Sequence, residues 1–102
     1  APEDVQFQQV IAVIDANYQF TPTRFVNGDT INEVNQNNGS CKIFSFAHCH
    51  QLNAQQTLAC FGDFYRKDVL EHPLNDDHQN IRNFIRFGWD GVEFDGQALS
   101  AK

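Results

Sequence analysis

The sequence predicts an α+β fold in a single domain over residues 1–102: about four helices packed with a small antiparallel sheet, made of a hairpin around Asn27-Gly28 plus a C-terminal strand. Three observations carry this. Apolar residues recur at helical spacing in four stretches, Asn27-Gly28 sits between two short β-prone runs, and Val92 and Phe94 alternate with Glu93.

Phe7, Val10, Ile11, Ile14 and Tyr18 lie on one face of a first helix, which must stop before Pro22. Pro2, Glu3 and Asp4 suit its start, because proline fits the first turn and carboxylates favour the positive end of the helix dipole. Asp4 or a residue upstream of it is the expected cap. Arg24–Ile31 follows as a hairpin turning at Asn27-Gly28, where positive φ costs little; Val26 and Ile31 share one face and Phe25 the other. Asn35–Gly39 reads as a loop.

Ser40 is the expected N-cap of a second helix, from Cys41 to about Leu52, with Ile43, Phe44, Phe46 and Ala47 spread around much of it. A third helix starts near Ala54 with Asn53 as cap, carries Leu58, Phe61, Tyr65 and Val69, and ends by Pro73. Asp63–Lys67 and Lys67–Glu71 are i,i+4 charge pairs on its outer side. Asp76 or Asp77 is the expected cap of a last helix that holds Ile81, Phe84 and Ile85 and closes at Gly88.

Ten phenylalanines, two tyrosines and Trp89 supply core bulk for a chain of this length. Thirteen acidic against seven basic residues give a net charge of −6, with Lys and Arg scattered. A phosphate-gripping surface needs them clustered, so nucleic acid and anionic membranes are poor partners. No apolar run reaches the ~20 residues of a membrane span, and no signal peptide is visible. The start at Ala1-Pro2 points to an N-terminus that was processed, trimmed or left out. Cys41, Cys49 and Cys60 make an odd, sparse set, as expected of reduced thiols in a cytosol.

Cys41 leads the candidates for chemistry. Placed in a first helical turn, its thiol would gain thiolate character from the dipole and free N–H groups. His78, beside Asp77, would be the base that such a nucleophile needs. The competing reading is a cysteine packed as a small hydrophobe. His48, Cys49 and His50 are too closely spaced to share a helix face, and no metal-ligand spacing occurs, so no metal or cofactor is implied. His72, Asp76, Asp77 and His78 gather in one turn, a set of carboxylates and imidazoles able to meet a divalent cation, though helix capping accounts for the aspartates without it. Arg66 and Arg82 flank that turn, to receive its carboxylates or to anchor an acidic ligand. Trp89, between two glycines, is either an exposed anchor for a partner or the lid of a small core.

The stretches Phe20-Thr21-Pro22-Thr23, Asn27-Gly28, Gly39-Ser40-Cys41-Lys42-Ile43-Phe44, Thr57-Leu58, Phe61-Gly62, Tyr65-Arg66 and Asp68-Val69-Leu70 together resemble the HopJ family. So do Asp77-His78-Gln79-Asn80-Ile81-Arg82-Asn83-Phe84, Gly88-Trp89 and Phe94–Leu99. The resemblance implies a small protein of a Gram-negative bacterium, made in the cytoplasm and named for type III secretion, and it brings no catalytic residues. The expectation is a protein that binds a protein partner. The alternatives are a cysteine-dependent enzyme or redox protein centred on Cys41, and a binder of a small acidic ligand.

Overall fold

A computed structural model describes residues 5–102, so the expected helix start at Pro2–Asp4 lies outside the described residues. In chain order the elements are α1 (Phe7–Asn17), β1 (Tyr18–Phe20), β2 (Phe25–Asn27), β3 (Thr30–Asn32), α2 (Asn38–Cys49), α3 (Ala54–Ala59), a π-helix (Phe64–Val69), α4 (Gln79–Phe87), a 3₁₀ turn (Gly88–Gly91), β4 (Val92–Phe94) and β5 (Leu99–Ala101). The fold is α+β, with two antiparallel sheets.

The expected hairpin and C-terminal strand join in the larger sheet, where β2 lies between β3 and β4. Its turn sits one residue later than expected. Val26 pairs with Ile31 and Asn27 with Thr30, leaving Gly28-Asp29 as the loop. Gly28 supplies the positive φ of +61°, and the Phe87 ring fills the space that a Cβ there would take. Asn27 stays in the strand because its side chain is bonded inside the protein.

The smaller sheet, β1 with β5, was not legible in the sequence. Tyr18 closes the apolar stripe of α1, yet its backbone is already extended and opens β1.

Helix starts differ most from expectation. The described α1 begins at Phe7, after Gln6. Helix α2 begins at Asn38, three residues before Cys41, after Asn37 in left-handed geometry, so Ser40 is no cap. Asn53 does cap α3: its Oδ1 accepts from Gln56 N–H at 2.8 Å, and Gln56 Oε1 accepts from Asn53 N–H at 2.9 Å. The expected long third helix breaks at Gly62, φ +60°, where a Cβ would stand 2.7 Å from the Phe7 nitrogen. Only glycine admits that approach, and the chain resumes as the π-helix. Lys67 and Asp63 pair across it at 3.9 Å. Neither Asp76 nor Asp77 caps α4; His78, φ 51°, holds that position, and Gly88 ends the helix as expected.

The core is aromatic. Phe44 sits at its centre, with ring centroids of Phe84 at 5.1 Å, Phe61 at 5.3 Å and Phe25 and Trp89 at 6.2 Å. Ile14, Ile43, Ile81 and Leu99 complete it. Such pairs add about 0.5–1.5 kcal/mol each beyond area burial.

Candidate functional site

The residues singled out in the sequence do not assemble into one reactive centre. Cys41 is buried, and its thiol donates to the Thr23 carbonyl at 3.7 Å. The early start of α2 places Cys41 beyond the free amides, since its own N–H already bonds the Asn37 carbonyl. Burial pushes the thiol pKa up, against the smaller opposing pulls of the Thr23 and Ser45 bonds. The thiolate expected from a first-turn position is therefore overturned by desolvation.

Asp77 makes no hydrogen bond to His78, its Oδ2 standing 4.0 Å from His78 Nε2. It takes a 2.6 Å bond from Arg82, which lowers its carboxyl pKa below the usual range. Asp68, which the sequence reading passed over, takes that place: its Oδ2 lies 3.0 Å from His78 Nε2.

Arg82 is a structural clamp. Besides Asp77 it donates to the backbone carbonyls of Asp68, His72, Pro73 and Asp77, fixing the whole turn. Arg66 donates to the Val5 carbonyl at 2.6 Å and to Asp63 at 3.2 Å. The two arginines thus hold backbone instead of converging on an acidic ligand. Trp89 closes the core: its Nε1–H donates to the Leu52 carbonyl at 3.1 Å, and its ring meets Phe84 at 5.0 Å. His48 packs on Trp89 and His50 on Tyr18, so they share no site. Among the described residues no group of three or more His, Cys, Asp or Glu is placed to hold a metal.

A cleft of about 330 Å³ does gather chemistry. Gly39 and Ser40 from the first turn of α2 form one wall, and His78, Gln79 and Asn80 from the start of α4 form another. Phe7, Phe61 and Phe64 make the third, with His78 stacked on Phe64 at 5.0 Å. No side chain caps either helix. First-turn amides have no intrahelical acceptor, so two sets of donors and two positive dipole ends border one opening. Ser40 and His78 both line it, and Cys41 is not among its lining residues.

The floor is a buried network of asparagines. Asn80 Oδ1 accepts from Asn27 and Asn32, both at 3.1 Å, and Asn80 Nδ2 donates to Asn32 Oδ1 at 2.9 Å. Asn37 donates to the same Asn32 oxygen at 2.7 Å, and Asn83 donates to the Asn27 carbonyl and the Thr30 hydroxyl. These bonds tie β2 and β3 to both helix starts. The arrangement presents donors and one histidine, suited to holding an acceptor-rich group, and offers no activated nucleophile.

The motifs Gly39-Ser40 and His78–Ile81 both reach this cleft. A family model, HopJ type III effector protein, matches residues 1–99. A crystal structure of the unknown-function protein VPA0580 superposes with a TM-score of 0.99 at 57% sequence identity, covering 100% of this chain and 85% of that one. A comparison with curated proteins finds no match.

Proposed function

We propose that this chain, which belongs to the HopJ type III effector protein family, acts by binding a protein partner and not by catalysis. In this reading it seats an anionic group of that partner, a carboxylate or a phosphate, in the cleft between α2 and α4. The observation that carries the reading is the convergence of two uncapped helix starts on one cavity that also holds His78. The commitment of Cys41, Asp77, Arg66, Arg82 and Trp89 to internal bonds supports it further. Production in the bacterial cytoplasm and export by type III secretion are part of the same proposal and rest on the family's name. No helix of the described residues is long and apolar enough to cross a membrane.

Titration with inorganic phosphate, followed by amide NMR shifts, tests the seat. Saturable shifts should centre on Gly39, Ser40, Gln79 and Asn80. Ser40→Glu, which places a carboxylate in the cleft while suiting a helix start, should abolish them. Shifts scattered over the surface, or unchanged in Ser40→Glu, would sink the proposal. Iodoacetamide separates it from the cysteine alternative: Cys49, which is exposed, should react in the folded protein while Cys41 does not.

A further inference from the structure

The turn between the π-helix and α4 is held firmly, yet it displays an apolar residue at its tip. His72–Asn75 closes as a β-turn, the Asn75 N–H bonding the His72 carbonyl at 3.1 Å, with Pro73 and Leu74 as its central pair. Arg82 donates to the His72 and Pro73 carbonyls before the tip and to Asp77 after it. Turns usually draw on Asn, Asp, Ser or Gly beside a proline. Here Leu74 stands 98% exposed, so a rigid frame presents a bare leucine. Beside it lies a hollow of about 240 Å³, walled by Val69, Leu70, Pro73, Arg82 and Ile85 and ample for one leucine side chain. Ile81 and Phe84 of α4 are buried, whereas Ile85 is 48% exposed and Leu70 54%. The rim carries both signs: Glu71 follows Leu70, Arg86 follows Ile85, and among the described residues neither is in a salt bridge.

We propose that this face pairs with a second copy of the chain across a two-fold axis, each Leu74 seated in the other copy's hollow. A knob and a hole side by side on one face are self-complementary, which is what a two-fold contact requires. The same rotation lets the Glu71 rim of one copy face the Arg86 rim of the other. The fixed turn lowers the ordering cost of seating the leucine. Leu70, Leu74 and Ile85 expose roughly 350 Å² per copy; doubled, and joined by Pro73 and the charged rims, this nears the ~1,000 Å² at which specific interfaces begin. The pair is therefore weak, with a dissociation constant on the order of 100 μM. The anion cleft shares no lining residue with this hollow.

Sedimentation equilibrium from about 10 μM to about 1 mM reads the association, in 0.15 M salt where a Debye length of ~8 Å screens the net charge of −6. The mass should climb from that of one chain, 11.7 kDa, toward twice that value and no further. Leu74→Asp should raise the dissociation constant at least about tenfold and leave the urea midpoint unchanged, because that side chain is almost wholly exposed in the monomer. Ile85→Glu should break the pair from the side of the hollow. A monomer at every concentration, which would leave the face to a different protein, overturns the inference. So does a dimer indifferent to Leu74→Asp, or growth past the dimer into open chains.

Discussion

The helix starts of this protein fall into two kinds. At α3, Asn53 and Gln56 cap each other reciprocally, and at α1 Gln9 Oε1 accepts from the Gln6 N–H at 3.3 Å. Both starts spend their side chains on their own amides. At α2 and α4 the N-cap residues are Asn37 and His78, both left-handed, and both point their side chains elsewhere: Asn37 to Asn32, and His78 to Asp68. Those two starts are the ones that border the cleft. The difference teaches that the potential capping groups were redirected to hold the walls, leaving the amides available.

The contrast is broken most completely at Asn80, which anchors the open start of α4. Asn80→Ala strands Asn27 and Asn32 in the interior and should cost about 3 kcal/mol, read from urea denaturation. A loss below about 1 kcal/mol would mean that the network does not hold these elements together. The closed start should show an ordinary capping effect: Asn53→Ala is expected to lose about 1 kcal/mol, and Ser40→Ala less than about 0.5 kcal/mol by the same assay. Similar losses at the two sites would erase the distinction.

The left-handed geometry can be weighed by comparing two variants at one position. Both His78→Gly and His78→Ala remove the bond to Asp68, but only alanine keeps the strain. Glycine should therefore be more stable by about 0.5–1 kcal/mol, seen in thermal melts. Acidification supplies the gentlest test. Asp77 has a lowered folded pKa through its bond from Arg82, so its contribution is present above about pH 4 and fades as pH falls through the folded value. Urea midpoints measured from neutral to acid pH should fall less steeply in Asp77→Asn; parallel curves would show that this pair does not stabilise the turn beside α4.

The sequence made the local signals legible and hid the long-range ones. Asn53, Gly88, the β2–β3 hairpin and the β4 strand are set by residues within a few positions of one another, and each was read correctly in kind. The break at Gly62 depends on the backbone of Phe7 arriving from 55 residues away, a separation no helical periodicity encodes. Asparagines clustered at 35–38 look like a loop by composition. The buried network is built instead on Asn27 and Asn32 in the sheet, which only Asn37 of that loop joins, and it appears only when Asn80 and Asn83 come alongside. Cys41 misled because its chemistry hinged on a helix boundary, and the helix opens three residues earlier, after a left-handed Asn37. Of the cleft, His78 was anticipated; Ser40, Gln79 and Asn80 were noticed only as capping or motif residues.

The order of the strands has a consequence for how the chain is made. β2 waits for β4, and β1 waits for β5, so neither sheet can be complete until residues 92–101 are available. A chain emerging N-terminus first from the ribosome therefore carries β1, two of the three strands of the larger sheet and the open face of its aromatic core before their partners exist. Final folding is deferred to the end of synthesis, and until then the nascent polypeptide exposes apolar surface that β4 and β5 will later cover.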